Sequence, residues 1–271
     1  MTLRFDNISQ GWEQWVMLSS DHHFDNKHAD LRLLKRHLDK AVERDALVMV
    51  FGDLFCAMQG KYDKRSSMED IRPEHVGANY LNLIAQDAAN FYAPYADRIV
   101  MVSEGNHETG ILDHHGLHLL SILADKLNQK GGQVQVGPYS GWVRFMFRMH
   151  KTAQNSVRLY YHHGAGGGGP VTKGVIQTNR QAVYLPDADI VVNGHTHDAW
   201  VLPIARERLS DAGTPHRDLL WFVRTPSYKN EFQKNGWSDR TWKPPKPLGC
   251  VWARFYLEGK RVIMDLTPDL Q

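Results

Sequence analysis

Ser20-Asp21-His22-His23-Phe24-Asp25 follows directly on a short apolar run, Trp15-Val16-Met17-Leu18. The run reads as a strand, and the strand ends in Asp-x-His. Such an ending puts a carboxylate and an imidazole side by side at the carboxyl edge of a sheet. A hard oxygen donor and a borderline nitrogen donor at that spacing suit a divalent first-row metal. Alone, the stretch reads equally well as a polar turn, because Asp and His are common in loops of this kind. The residues downstream decide between the two.

Leu31, Leu34, Leu38 and Val42 recur at helical spacing with charged residues between them, which predicts an amphipathic helix over about 28–45. Leu47-Val48-Met49-Val50-Phe51 is a continuous apolar run, as expected of a strand buried on both faces, and it ends in Gly52-Asp53. This is a strand–helix–strand unit, so both loops lie at the same carboxyl edge, where open α/β sheets bind ligands. After a polar insertion over 56–76 and a helix over about 74–92, Ile99-Val100-Met101-Val102-Ser103 delivers Glu104-Gly105-Asn106-His107-Glu108 to that edge. The insertion fits a substrate contact and a plain surface loop equally well. His114, His115 and His118 lie near the start of a helix expected over about 116–130 and have no carboxylate at ligand spacing, so they read as surface or capping residues.

Beyond Gly131-Gly132 the pattern changes to strands near 133–136, 142–147 and 157–161, joined by Gly-Pro and polar turns, and it predicts a second, antiparallel sheet. The third of these strands ends in His162-His163-Gly164 and a glycine-rich run, whose bare backbone lets a charged ligand approach. A helix over about 174–184 and the buried strand Asp189–Asn193 lead to Gly194-His195-Thr196-His197. Short strands are expected over 199–206, 219–224 and 250–257, in a strand-rich C-terminal part, 199–271. Residues 221–261 carry nine Lys and Arg against three Asp and Glu, with Trp221, Tyr228, Phe232, Trp237, Trp242 and Trp252 between them. Nucleic acid binding through backbone phosphates and base stacking is one reading of this segment. A second-sheet core with solvated basic turns is the other.

Length and composition set the outer bounds. The 271 residues suit one large domain, 1–271, and the net charge of +2 gives no global argument for nucleic acid. Fifteen His stand out, since imidazole is a common metal ligand and proton carrier. Two Cys, Cys56 and Cys250, make no disulfide framework, and the first residues show no apolar leader. No run approaches the ~20 apolar residues of a membrane span. A cytoplasmic protein with no membrane partner is the expectation; oligomeric state is left open.

Five strand ends thus carry Asp-x-His, Gly-Asp, Gly-Asn-His-Glu, His-Gly and Gly-His-Thr-His, in that order. This ordered set resembles the calcineurin-like metallophosphoesterase superfamily over residues of about 15 to 200. The resemblance implies a two-sheet β-sandwich flanked by helices, a four-layer αββα arrangement. It also implies two divalent metal ions, of which Mn, Fe, Zn, Ni and Co all suit such donors. Carried over motif by motif, Asp21 and His23 would bind the first metal, Asp53 would bridge, and Asn106 and His163 would bind the second. His195 would join the second metal and His197 the first. His107 would be a catalytic histidine and not a ligand. The implied activity is hydrolysis of a phosphodiester or phosphomonoester, with nucleic acid or a small phosphoester as substrate. Filled positions at all seven ligands and at His107 argue against a non-catalytic scaffold. Gly52-Asp53-Leu54-Phe55-Cys56-Ala57 departs from the Gly-Asp-x-Val-Asp-Arg-Gly of the protein Ser/Thr phosphatases, and Glu104 replaces their Arg. Leu54 and Phe55 supply no ligating Tyr of the purple acid phosphatase kind.

Overall fold

Along the strand Leu47–Phe51, Val48 and Val50 enter one hydrophobic core while Met49 and Phe51 enter another. The same alternation holds for Met17 against Val16 and Leu18. A strand with period-two side chains and both faces apolar must lie in a sheet covered on both sides. That requirement sets the architecture. The computed structural model describes residues 1–57, 68–149, 154–167, 169, 171–232 and 244–271.

In chain order the elements begin with β1 (Thr2–Asp6), β2 (Glu13–Ser19), α1 (Leu31–Glu43), β3 (Leu47–Phe51), α2 (Tyr80–Tyr92), β4 (Ile99–Ser103), α3 (Asn106–His115) and α4 (Leu119–Asn128). They continue with β5 (Gln135–Gly137), β6 (Ser140–Arg148), β7 (Gln154–His162), α5 (Val175–Tyr184), β8 (Ile190–Asn193), β9 (Trp200–Leu209), β10 (Pro215–Arg224), β11 (Gly249–Glu258) and β12 (Arg261–Leu270). Two mixed sheets of six strands result, in the orders β12-β11-β2-β3-β4-β5 and β1-β6-β7-β8-β10-β9. Leu34 and Leu38 of α1, Ile84 and Ala88 of α2, and Leu123 and Leu127 of α4 cover the outer face of the first sheet. Phe51, Phe145, Phe147 and Phe255 help fill the space between the sheets. Val191, Leu220 and Phe222 turn the other way, to a smaller core that includes Ala182 of α5. The layers are helix, sheet, sheet, helix, as the motif resemblance implies.

Several expectations need correction. β5 does not open the second sheet; it pairs with β4 in parallel and closes the first. Its connection from β4 runs through α3 and α4, and a crossover of that length joins parallel neighbours. The second sheet is mixed: β6–β7 and β9–β10 are antiparallel, while β1–β6, β7–β8 and β8–β10 are parallel. β11 returns to the first sheet beside β2, and β12 pairs with β11 at its edge. β1 and β12 escape the sequence reading because each is an edge strand rich in charged residues, and β12 carries Pro268 as well. The helix expected over 74–92 begins at Tyr80, after a short 3₁₀ turn at Pro73–His75. The helix expected over 116–130 is α4, and a separate α3 precedes it, stopped by Gly116 at φ 65°. His114 and His115 therefore end a helix instead of starting one.

Candidate metal centre

β2, β3 and β4 run parallel, and so do β7 and β8, so five carboxyl ends face one edge of the sandwich. The ends of β2, β3 and β8 turn sharply. Asp21, His23, Asp53, His195 and His197 all have φ between 45° and 70°, in the left-handed region that L side chains seldom adopt and that Asp and His enter more readily than most. Strain of this kind persists only where the surroundings enforce it, and it gathers at functional sites. The glycines between the motifs allow the approach: a Cβ on Gly194 would stand 2.6 Å from Asp21 Oδ2, and one on Gly105 would collide with Asp53.

The side chains converge in three overlapping groups: Asp21, His23 and His197; His23, Asp53 and His107; Asp53, His163 and His195. Within each group the donor atoms lie within 4.8 Å of one another. His23 Nε2 and His197 Nε2 face each other at 3.3 Å, and His197 Nε2 is 3.3 Å from Asp21 Oδ1. Asp53 Oδ2 is 3.1 Å from His163 Nε2 and 3.7 Å from His107 Nε2. Asn106 Oδ1 lies 3.2 Å from His163 Nε2 and 2.7 Å from His195 Nδ1. All seven residues singled out as ligands, and His107, are thus brought together. His107 stands close enough to His23 and Asp53 to share a cation with them, a placement the motif reading alone does not give.

The donor set fits a cation. Asp21 Oδ1 is buried, makes no well-aligned hydrogen bond among the described residues, and faces His197 Nε2 at 3.3 Å. A buried carboxylate oxygen left in that state is costly unless a charge answers it. His163 Nδ1 contacts the Phe51 carbonyl at 2.8 Å. A carbonyl only accepts, so Nδ1 carries a hydrogen and Nε2 is the nitrogen turned to Asp53 and Asn106; it donates to them while protonated and becomes a ligating nitrogen once that proton leaves. Burial lowers the His163 imidazole, but the Asp53 carboxylate outweighs it and raises the group to about 10. His197 rises to about 9 against burial, through its bond to Asp21. Burial raises Asp53, yet the charges of His163 and His107 hold it well below the carboxylate range. Burial keeps His23 well below its usual value. Cations and protons compete for such a pocket, so metal uptake releases protons.

The neighbouring histidines are engaged elsewhere. His22 points into the core, with Nδ1 2.8 Å from the Tyr92 hydroxyl and Nε2 3.0 Å from Ser19 Oγ. His162 Nδ1 accepts from the Gly164 N–H at 3.0 Å. His118 is exposed and sits 3.8 Å from Glu104.

Three residues carry the surrounding shell and were given no role by the sequence. Glu108 accepts from the N–H groups of Asp53, Phe55 and Gly105 at 3.1, 2.9 and 2.9 Å. Burial and the charge of Asp53 push its carboxyl up to about 8, against the pull of those donors. Asp25 accepts from Cys56 N and Ala57 N at 2.6 and 2.9 Å. Glu231 faces His197 Nδ1 at 3.5 Å. A signal was present for Glu108, since a Glu at the third helical position commonly reaches back to the N–H of the capping residue just before the helix, here Gly105.

Part of the basic, aromatic segment serves the fold, while Phe232, Lys260 and Arg261 are exposed. Tyr228 and Trp252 are buried, Arg224 donates to the Gly194 carbonyl, and Lys246 pairs with Asp198 at 2.5 Å. Lys234, Trp237, Arg240, Trp242 and Lys243 lie outside the described residues, as do residues 58–67 of the insertion.

No protein-family profile and no curated protein sequence matches the chain. Among solved structures, vacuolar protein sorting 29 from Cryptosporidium parvum aligns over 96% of this chain and 99% of its own, at 12% identity and a TM-score of 0.39. A Streptococcus pneumoniae protein described as a predicted phosphoesterase aligns over 94% and 89%, at 14% identity and a TM-score of 0.34. Vacuolar protein sorting 29 from Entamoeba histolytica, complexed with Zn²⁺, aligns over 94% and 98%, at 11% identity and a TM-score of 0.35. Likenesses at this level carry no argument about chemistry, which rests on the residues above. No helix among the described residues is long and apolar enough to cross a membrane.

Proposed function

We propose that the chain is a phosphoesterase built on two divalent cations, similar to the calcineurin-like metallophosphoesterases. The observation that supports this most is the position of Asp53, which belongs to two of the three converging donor groups. Asp21, His23 and His197 would hold one ion, and Asn106, His163 and His195 the other, with Asp53 shared. Two such ions, when bound, polarise a phosphoryl group and supply a nucleophile from water at neutral pH.

The chain's own residues do the rest. Asn106 contributes an amide oxygen and no negative charge, which keeps the centre attractive to an anionic ester. His107 Nδ1 lies 2.5 Å from the Cys56 carbonyl, so that nitrogen carries a hydrogen and Nε2 is the one turned to the centre. A proton on Nε2 passes to the leaving oxygen as its bond to phosphorus breaks, and the imidazole is left neutral.

The test is a panel of bis-p-nitrophenyl phosphate, p-nitrophenyl phosphate, cyclic nucleotides, and single- and double-stranded DNA and RNA. Each is offered with Mn²⁺, Fe²⁺, Zn²⁺, Ni²⁺ and Co²⁺ in turn. Hydrolysis that a chelator abolishes is expected; silence across the panel refutes the reading. A small phosphoester leads as substrate, because Arg224, Lys229, Lys246 and Arg254 of the basic segment are paired within the fold. Nucleic acid would take its place if turnover of single-stranded DNA fell steeply with salt and with Lys243→Glu, the signature of phosphate contacts.

A further inference from the structure

Residues 53–57, one past the end of β3, form a loop with chemistry at both ends. Asp53 opens it, and the carbonyl that accepts from His107 belongs to Cys56. Two buried carboxylates hold four of its N–H groups: Glu108 takes those of Asp53 and Phe55, and Asp25 those of Cys56 and Ala57. Asp25 is 1% exposed and also receives the Tyr80 hydroxyl. Ala57 closes the turn at φ 46°, a conformation alanine does not choose unaided. The bonds from Asp25 are therefore what keeps the Cys56 peptide in place, and that peptide sets which nitrogen of His107 faces the centre.

We propose that Asp25 is a positioning residue for His107: it anchors the Cys56 peptide, and the Cys56 carbonyl fixes the imidazole with Nδ1–H inward and Nε2 toward the leaving oxygen. The kinetic part rests on the phosphoesterase reading; the geometric part stands without it. Asp25 touches neither substrate nor the converging donors, so its effect must pass through His107. Asp25→Asn is the discriminating change, because an amide meets two N–H donors with only one accepting oxygen. One donor of the loop then faces an NH₂ group, and the Cys56–Ala57 turn shifts.

The experiment has two readouts. Nitrogen-detected NMR of ¹⁵N-histidine in the Zn²⁺-loaded protein reports the His107 tautomer, expected as Nδ1–H in the parent and as a mixture in Asp25→Asn. Steady-state kinetics should show kcat on an alkyl phosphodiester falling by roughly 10–100-fold, the scale for lost supporting contacts. KM, metal content and turnover of bis-p-nitrophenyl phosphate should stay close to the parent. Asp25→Asn combined with His107→Gln should be no slower than His107→Gln alone. An unchanged tautomer, equal losses on good and poor leaving groups, or multiplying losses in the double variant overturn the proposal. Tyr80→Phe, which orphans no N–H, should act in the same direction more weakly and replaces Asp25→Asn if that variant does not fold. If the parent hydrolyses nothing, the phosphoesterase reading fails, and the tautomer still decides the positioning.

Discussion

Replacing Glu108 by Ala removes the acceptor of three buried N–H groups, those of Asp53, Phe55 and Gly105. Each buried donor left without a partner costs about 1–3 kcal/mol. Three of them sum to at least about 3 kcal/mol, with water entering the vacated space holding the value toward that end. For a chain of this size 1 kcal/mol moves the melting temperature by ~2–4 °C, so a fall of about 6–12 °C is expected. Glu108→Gln keeps one accepting oxygen and should lie between the parent and the Ala variant. Calorimetry with a chelator present measures this term alone. Repeating it with saturating Mn²⁺ measures the second consequence, since the displaced loops carry Asp53 and Asn106. Loss of supporting contacts weakens metal binding by roughly 10–100-fold, so the metal-induced gain should shrink by about 1.4–2.7 kcal/mol per site. A Glu108→Ala protein that melts within 2 °C of the parent and gains as much from Mn²⁺ would refute the reasoning.

Other outcomes follow from the same geometry. Elemental analysis should find two metal ions per chain, and Asp53→Asn should hold one or none; saturation of the parent at one ion rules out a shared carboxylate. His107→Gln should keep both ions and lose roughly 10²–10⁴-fold in kcat, with a smaller loss for p-nitrophenolate than for an alkoxide leaving group. Metal loss in that variant would make His107 a ligand. Burial lowers His37 to about 4 from its ordinary 6.5, with Asp269 pulling the other way. Between those values the unfolded chain binds more protons than the folded one, so stability falls as pH drops from about 6.5 to about 4. His37→Gln should flatten that part of a pH-dependent urea titration, and an unchanged slope would count against it.

The parts of the fold written in apolar runs were legible. β2, β3, β4 and β8 are buried on both faces, so their runs stand out against any background. β1 and β12 mix charged and apolar residues at a sheet edge, where pairing with one neighbour and not burial defines the strand. α3 was hidden for a different reason: its first turn is the motif Asn106-His107-Glu108, whose residue types signal chemistry before they signal a helix. The side chains that meet at the centre were nameable because order and adjacency to glycine sort them. His163 over His162 and His23 over His22 agree with where the rings point. Asp25 and Glu108 sat in plain view within two quoted motifs. Asp25's role, and Glu108's hold on Asp53 and Phe55 beyond its helix cap, were illegible, because a carboxylate that holds backbone N–H groups looks, in a sequence, like one that faces a ligand.

The candidate centre draws Asp21, His23, Asp53, Asn106 and His107 from one sheet and His163, His195 and His197 from the other. Any ion held by both sets acts as a rivet through the sandwich. Its affinity then depends on how the two sheets are aligned, and the alignment is set far from the site by contacts such as Phe145 against Phe255, whose ring centroids are 4.9 Å apart. Linkage makes that dependence mutual: whatever repacks the buried seam is felt as a change in metal affinity, and the metal in turn resists any slip of the seam.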